Sequence, residues 1–302
     1  MADTHPFDDR DGWIWLDGRL VPWREATVHV LTHGLHYASS VFEGERAYSG
    51  RIYKLPEHTE RLFESARILG MEIPYTEREI DDACRDVLRA QGHEDAYVRP
   101  VVFRGSEQMS VAAPHSSTRV AIAVWPWPSY FDPMQKMKGI RLTISDWRRP
   151  APDTAPWKAK AAGLYMICTL SKHKAEADGY HDALMFDYRG LVAEATGANV
   201  FFVEEGKLVT PVADCFLDGI TRRSVMALAR ARQIPTVERY IEPRELQRFS
   251  ECFLTGTAAE VTPVREIGPY NFTPGQITET LFHDYAEDVR KPVSSVNLRA
   301  TA

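Results

Sequence analysis

The sequence predicts a protein in two parts, an α+β first half and a larger second half in which strands and helices are interspersed. Three observations predict it. Short apolar runs bounded by Gly, Asp and Ser read as strands in both halves. Other stretches space their apolar residues three and four apart, as helices do. Between them lies a stiff Pro- and aromatic-rich stretch, Trp125-Pro-Trp-Pro-Ser-Tyr-Phe-Asp-Pro133, unsuited to any regular element. A small N-terminal α+β domain is therefore expected at residues 1–124, an interdomain loop at 125–138 and a large C-terminal domain at 139–302. A chain of 302 residues has ample core for two such units.

In chain order, Trp13-Ile-Trp-Leu16, Asp17-Gly18 and Arg19-Leu-Val21 spell a hairpin. Strand-like runs at Val41–Tyr48 and Ile52–Lys54 flank the turn Ser49-Gly50. Leu62, Ala66 and Leu69 set a helical stripe over His58–Leu69 that Gly70 ends. A second helix spans Glu77–Arg89, and strands follow at Ala96–Arg104 and Arg119–Trp127. Past the stiff stretch, strands are expected at Ile140–Trp147, Asp182–Asp187, Asn199–Glu204, Lys207–Thr210 and Glu251–Thr255. Helices are expected at Leu164–Ala177, Thr221–Arg232 and Thr273–Val289, the last with Thr273 as N-cap and Pro274 at its first position.

Composition narrows the function. Apolar content of 44% and charged content of 26% are those of a soluble globular protein. A net charge of −6 argues against a nucleic-acid or anionic-membrane partner. The longest clean apolar run, Val120–Trp125, is too short to span a bilayer. No signal-peptide core opens the chain, and four scattered cysteines read as reduced thiols, so a cytoplasmic location is expected. His29, His33 and His36 lack a carboxylate partner and read as structural, so no metal is expected. Phosphate-loop, dinucleotide, nucleophile-elbow and metalloprotease motifs are all missing.

What remains is a chemistry-bearing trio. Lys158-Ala-Lys160 sits among small residues, Tyr165 follows, and Glu194 lies before the turn Ala195-Thr-Gly-Ala198. A lone lysine is nearly always a surface charge. An amine, a phenol and an acid together are what pyridoxal 5′-phosphate (PLP) needs: one to bond its aldehyde carbon, one to touch its ring oxygen, one to hold its ring proton. Alternation lets only one of the two lysines face a given site. Two turns could cradle a phosphate, Leu217-Asp-Gly219-Ile220-Thr221-Arg222 and Thr255-Gly256-Thr257-Ala258-Ala259-Glu260. Taken singly, Thr-x-x-Ser at 221–224 and Thr-x-x-Glu at 257–260 read as ordinary caps. In the first half, Phe42, Gly44, Arg46 and Tyr48 share one strand face, as do Tyr97 and Arg99. Such a mixture of aromatics and arginine fits an apolar pocket with a carboxylate-binding pole. Glu45 points to the other face, where a structural partner is expected.

These residues resemble the class IV (fold type IV) PLP aminotransferases. The resemblance rests on Glu194-x-Thr196-x-x-Asn199-Val-Phe201, Lys160-Ala-Ala-Gly-Leu-Tyr165, Gly219-Ile-Thr-Arg222 and Thr255-Gly-Thr-Ala-Ala-Glu-Val-Thr-Pro263. In the first half, His33-x-x-His36-Tyr37, Val41-Phe-Glu-Gly44 and Tyr97-x-Arg99-Pro are similar to branched-chain amino-acid aminotransferases in particular. The likeness runs from Trp13 to Val289. It implies the two-domain, D-amino-acid-aminotransferase-like fold, with the site between the domains of a homodimer subunit and a partner loop, here Gly105–Val111, reaching in. It implies that Lys160, not Lys158, bonds the cofactor and shuttles the proton. Tyr165 would meet its ring oxygen and Glu194 its ring nitrogen. Arg61, the turn Gly219-Ile220-Thr221 and the turn Gly256-Thr257 would hold its phosphate. Tyr37, Phe42, Gly44, Tyr97 and Tyr130 would line the side-chain pocket, with Arg46 organising its wall. Arg99 would take the distal carboxylate of glutamate, and amides at Thr257-Ala258 the α-carboxylate. The implied activity is transfer of the amino group of Leu, Ile or Val to 2-oxoglutarate. The same fold carries D-amino-acid and (R)-amine aminotransferases and aminodeoxychorismate lyase, and a non-catalytic binding protein is a further alternative. Glu45 stands where an apolar residue is usual, Ser110 where glycine is, and Asp218 where proline is.

Overall fold

The computed structural model describes residues 6–127 and 136–291. Its strands form two sheets. The first contains β1 (Trp13–Leu16), β2 (Arg19–Pro22), β3 (Ser40–Phe42), β4 (Glu45–Tyr48), β5 (Arg51–Ile52), β6 (Ala96–Arg104) and β7 (Thr118–Pro126). Their order is β2-β1-β7-β6-β4-β5, with β3 also on β6. The expected β1–β2 hairpin turns at Asp17 (φ 46) and Gly18 (φ 93), the left-handed pair that suits the twist of a two-residue hairpin. One antiparallel register carries β3 and β4 along β6, from Phe42 opposite Val101 to Glu45 opposite Val98. The Phe42, Gly44, Arg46 face is therefore continuous although the strand is interrupted at Glu43-Gly44.

Helix α1 (His33–Tyr37) precedes β3, and the two long helices α2 (Leu55–Ile68) and α3 (Glu77–Gln91) cover this sheet. Leu62 and Ala66 of α2, and Ile80, Ala83, Cys84 and Val87 of α3, pack on Val98, Val120, Ile122 and Val124. A capping box between Thr76 and Glu79 starts α3.

The second sheet holds β8 (Ile140–Ile144), β9 (Asp182–Phe186), β10 (Val192–Ala195), β11 (Asn199–Glu204), β12 (Lys207–Thr210), β13 (Thr236–Glu238), β14 (Glu251–Gly256), β15 (Glu260–Ile267) and β16 (Tyr270–Asn271). Its path runs β10-β9-β8-β15-β14-β11-β12-β13, and β10 also pairs with β11. That extra pairing curls six strands into a ring, closed at Glu194 opposite Asn199. Strand β11 is buried on both faces. Val200 and Phe202 join one core, while Phe201 and Val203 join another with helices α5 (Ile220–Ala231) and α6 (Gln276–Asp288). This accounts for its unbroken apolar run, which has no alternation.

Three expectations shift. The helix expected over Leu164–Ala177 divides into a 3-10 turn at Ala162–Tyr165 and α4 at Met166–Ala177. The strand expected to reach Trp147 stops at Ile144. Helix α6 begins at Gln276, not Thr273, because its N-terminus is capped from elsewhere: Glu251 on β14 accepts a 2.8 Å bond from the Thr278 amide. The Thr273 amide instead donates to the Ser250 carbonyl.

The two sheets meet at the segment carrying Lys160. The Lys160 amide donates to Ser65 Oγ of α2 (3.0 Å), and its carbonyl accepts from the Phe42 amide (3.1 Å). Lys160 is therefore pinned on both sides by the first half of the chain. Among the described residues no helix is long and apolar enough to cross a membrane.

Candidate active site

Between the sheets lies a cavity of about 420 Å³. Lys160 lines it, half-buried, with its Nζ donating to Tyr165 Oη at 2.8 Å. Phe42 packs edge-on against Tyr165, ring centres 4.8 Å apart, and its face lies 4.9 Å from Lys160 Nζ. Lys158 is exposed, sits over the Trp157 ring and has no place in the cavity. The two-residue spacing separates the lysines as alternation requires.

Glu194 faces the cavity from the closing pair of the ring, its side chain 12% exposed. Arg149 Nε lies 3.3 Å from its Oε1, and Asn199 Nδ2 donates to its Oε2 at 3.2 Å. Burial pushes this carboxyl up to about 7, against the pull of the Arg149 and Lys160 charges. Asn199 also donates to the Leu217 carbonyl (3.0 Å) and accepts from the Gly219 amide (3.2 Å). A Cβ at Gly219 would lie 2.3 Å from Asn199 Oδ1. One side chain thus ties the acid to the first anion cradle.

Neither cradle is an ordinary cap. Helix α5 starts after Gly219 with no side-chain cap, and Thr221 lies inside the helix. Its first amides and dipole are left for an anion. Thr255-Gly256-Thr257-Ala258 turns between two strands and starts no helix. Thr255 Oγ1 there is buried without a partner on the cavity wall. Arg61 of α2 reaches the same cavity, its guanidinium forked onto Glu43 at 2.6 and 2.8 Å.

The opposite wall comes from the first sheet: Phe42, Gly44, Tyr97 and Arg99. The Arg99 guanidinium stands 4.8 Å from the Phe42 ring centre and 5.2 Å from that of Tyr97, and its Nη2 donates to Tyr97 Oη at 3.3 Å. A Cβ at position 44 would lie 2.0 Å from Tyr97 Oη, so any larger residue there must displace that ring.

Of the expected residues, Arg61, Gly219, Ile220, Thr221, Gly256, Thr257 and Ala258 join Lys160, Tyr165, Glu194 and the first-sheet wall around one cavity. Two do not. Tyr37 is 43% exposed and lies against the His33 ring. Arg46 is buried away from the cavity in an ion pair with Glu260 (3.0 Å), which Lys136 and Tyr48 also hold. Tyr130 lies outside the described residues. Glu45 is fully buried with neither oxygen hydrogen-bonded, so the expected partner is absent. Sequence reading missed Arg149, which sits in Trp147-Arg-Arg149-Pro with nothing local to separate it from a surface cation. Asp187, Asp214 and Cys215 also converge, but Arg189 bonds both carboxylates.

This donor set fits PLP: an amine beside a phenol, an acid held by one hydrogen bond and one ion pair, two uncapped turns and an arginine for a phosphate dianion.

Residues 40–267 match the class IV amino-transferase family. The chain is 42% identical, over 92% of its length and 92% of the relative's, to the branched-chain-amino-acid aminotransferase of Pseudomonas aeruginosa. A branched-chain amino acid aminotransferase from T.th., complexed with N-(5′-phosphopyridoxyl)-L-glutamate, superposes with a TM-score of 0.88 at 37% identity, covering 94% of this chain and 96% of that one. The enzyme of the archaeon Thermoproteus uzoniensis with norvaline gives 0.87 at 38% identity, covering 92% and 94%. The chain therefore belongs to the class IV aminotransferases, which are PLP enzymes.

Proposed function

We propose that the protein transfers the amino group of branched-chain L-amino acids (Leu, Ile and Val) to 2-oxoglutarate, giving the 2-oxo acids and L-glutamate. The observation that carries this reading is one cavity with Lys160, Tyr165 and Glu194 on one side and Phe42, Tyr97 and Arg99 on the other. The names of the relatives support it, as do the phosphopyridoxyl-glutamate and the norvaline of the superposed structures.

When bound, PLP supplies an electron sink that makes the substrate Cα–H acidic. The rest falls to the protein. Lys160 Nζ takes the Cα proton and returns one in the reverse half-reaction. Tyr165 holds Lys160 in line through their 2.8 Å bond. Glu194, oriented by Arg149 and Asn199, holds a proton on the ring nitrogen. Arg61 and the amides of Ile220 and Thr221 hold the phosphate, with Thr257. Amides at Thr257-Ala258 take the α-carboxylate. Phe42, Gly44 and Tyr97 exclude water around an apolar side chain, and Arg99 meets the distal carboxylate when glutamate takes its turn.

We also place the enzyme in the cytoplasm as a homodimer. His33 Nε2 donates to the Ser110 carbonyl, joining α1 to the 105–111 loop. The exposed Val30, Leu35, Tyr37, Met109 and Val111 lie along that joined region, an apolar surface that a second copy would cover.

The test is a panel of amino donors with 2-oxoglutarate. L-leucine, L-isoleucine and L-valine are expected to turn over. Turnover of D-alanine or an (R)-amine with none of L-leucine overturns the assignment.

A further inference from the structure

Glu43 lies at the interruption between β3 and β4, with its side chain wholly inaccessible to solvent. Four donors converge on it. Arg61 contributes Nε to Oε1 (2.6 Å) and Nη2 to Oε2 (2.8 Å). His58 Nδ1 donates to Oε2 at 2.7 Å, and the Gly44 amide does so at 3.3 Å. Burial alone would raise this carboxyl, but Arg61 and His58 outweigh it and hold Glu43 far below the usual carboxylate range. Burial lowers His58 against the pull of Glu43, so Arg61 is the permanent positive charge that meets Glu43.

The fork fixes the plane of the Arg61 guanidinium. It engages Nε and one terminal nitrogen, which leaves the other Nη out of the pair on a side chain that lines the cavity. A long arginine that must meet a phosphate loses rotamer freedom on binding. Glu43 and His58 impose that loss in advance, while the protein folds.

We propose that Glu43 is the positioning residue for the phosphate contact of Arg61, and so sets how strongly this enzyme prefers phosphorylated over unphosphorylated forms of its cofactor. The inference rests on the reading that Arg61 meets the phosphate. In Glu43→Gln the charge is gone, and in either orientation the amide NH₂ faces an Arg61 N–H, donor against donor, because both Glu43 oxygens accept from Arg61.

The experiment uses full-length protein stripped of cofactor. It measures the dissociation constants of pyridoxamine 5′-phosphate and of pyridoxamine, which differ only by the phosphate. Glu43→Gln is expected to weaken the phosphorylated ligand roughly tenfold and leave pyridoxamine unchanged. In an Arg61→Ala background it should add nothing further. Equal weakening of both ligands marks a general structural role and overturns the proposal. If Arg61→Ala abolishes the phosphate preference while folded Glu43→Gln retains it, the proposal alone falls. If Arg61→Ala leaves the preference intact, the phosphate role of Arg61 falls with it. Where Glu43→Gln does not fold, Glu43→Asp, which keeps the charge but shortens the reach, is read by the same ratio.

Discussion

The two walls of the cavity are built by opposite means. The second-sheet wall works through backbone amides at two turns and through polar side chains locked to one another: Lys160 to Tyr165, Glu194 to Arg149 and Asn199, Asn199 to Gly219. The first-sheet wall works through shape and a single cation, with Phe42, Tyr97 and Arg99 stacked around the space that Gly44 leaves. The difference teaches a division of labour. On the proposed reading, the locked wall would serve steps common to every amino acid, and the stacked wall would discriminate among side chains. Arg61 crosses this division: it comes from the first half, is held by the buried Glu43, and would meet the phosphate.

Four substitutions, and Lys158→Ala as a control, break or sharpen this division. The largest effect belongs to Lys160→Ala, which should lower turnover of every substrate by roughly 10⁴-fold, because it removes both the bonding amine and the proton carrier. Lys158→Ala should leave steady-state rates unchanged.

Glu194→Gln comes next and reads the locked wall as stability. The Glu194 carboxyl stands at about 7 in the folded protein, against an ordinary 4.5. The folded state therefore holds the proton more tightly than the unfolded one. That preference is fully present below 4.5 and is lost as pH rises through 7. Denaturant melts of cofactor-free protein should show the glutamine variant gaining about 3 kcal/mol on the parent between roughly pH 4.5 and 8. A flat difference across that range contradicts the burial account.

On the stacked wall, Arg99→Ala should slow the half-reaction with glutamate by about 30-fold while changing that with L-leucine by less than about threefold, since it removes one charge-assisted contact. Equal slowing of both half-reactions in stopped-flow traces dissolves the division. Gly44→Ala is the mildest. Its Cβ displaces Tyr97 Oη and so disturbs the 3.3 Å bond to Arg99. KM for bulky donors should rise about fivefold at unchanged kcat, a loss of roughly 1 kcal/mol of overpacked binding.

Much of this was legible in the sequence where the cause is local. The Asp17-Gly18 hairpin and the stripe of α2 that Gly70 ends follow from turn chemistry and period. So does the separation of Lys158 from Lys160. What escaped is what the chain assembles at a distance. Glu251 caps α6 across 27 positions, so the local Thr273-Pro274 signal was overridden. Arg149 finds Glu194 only because its backbone pairs with the end of β9, the neighbour of β10. Arg46 shares a face with Phe42 and Gly44, yet Glu260 from the other sheet draws it away. Glu43 and Glu45 look alike in sequence, two buried acids two residues apart. One meets four donors and the other none. Burial holds the Glu45 carboxyl well above the usual range, with Glu43 and Asp81 adding to the effect.

The central claim is that Lys160 is the amine that bonds the cofactor. Borohydride reduction of the PLP-loaded protein, followed by digestion and mass spectrometry, locates the fixed pyridoxyl group directly. The account predicts a single label on Lys160 in the peptide carrying residues 158–165. A label on Lys158, or none in that peptide, would contradict it.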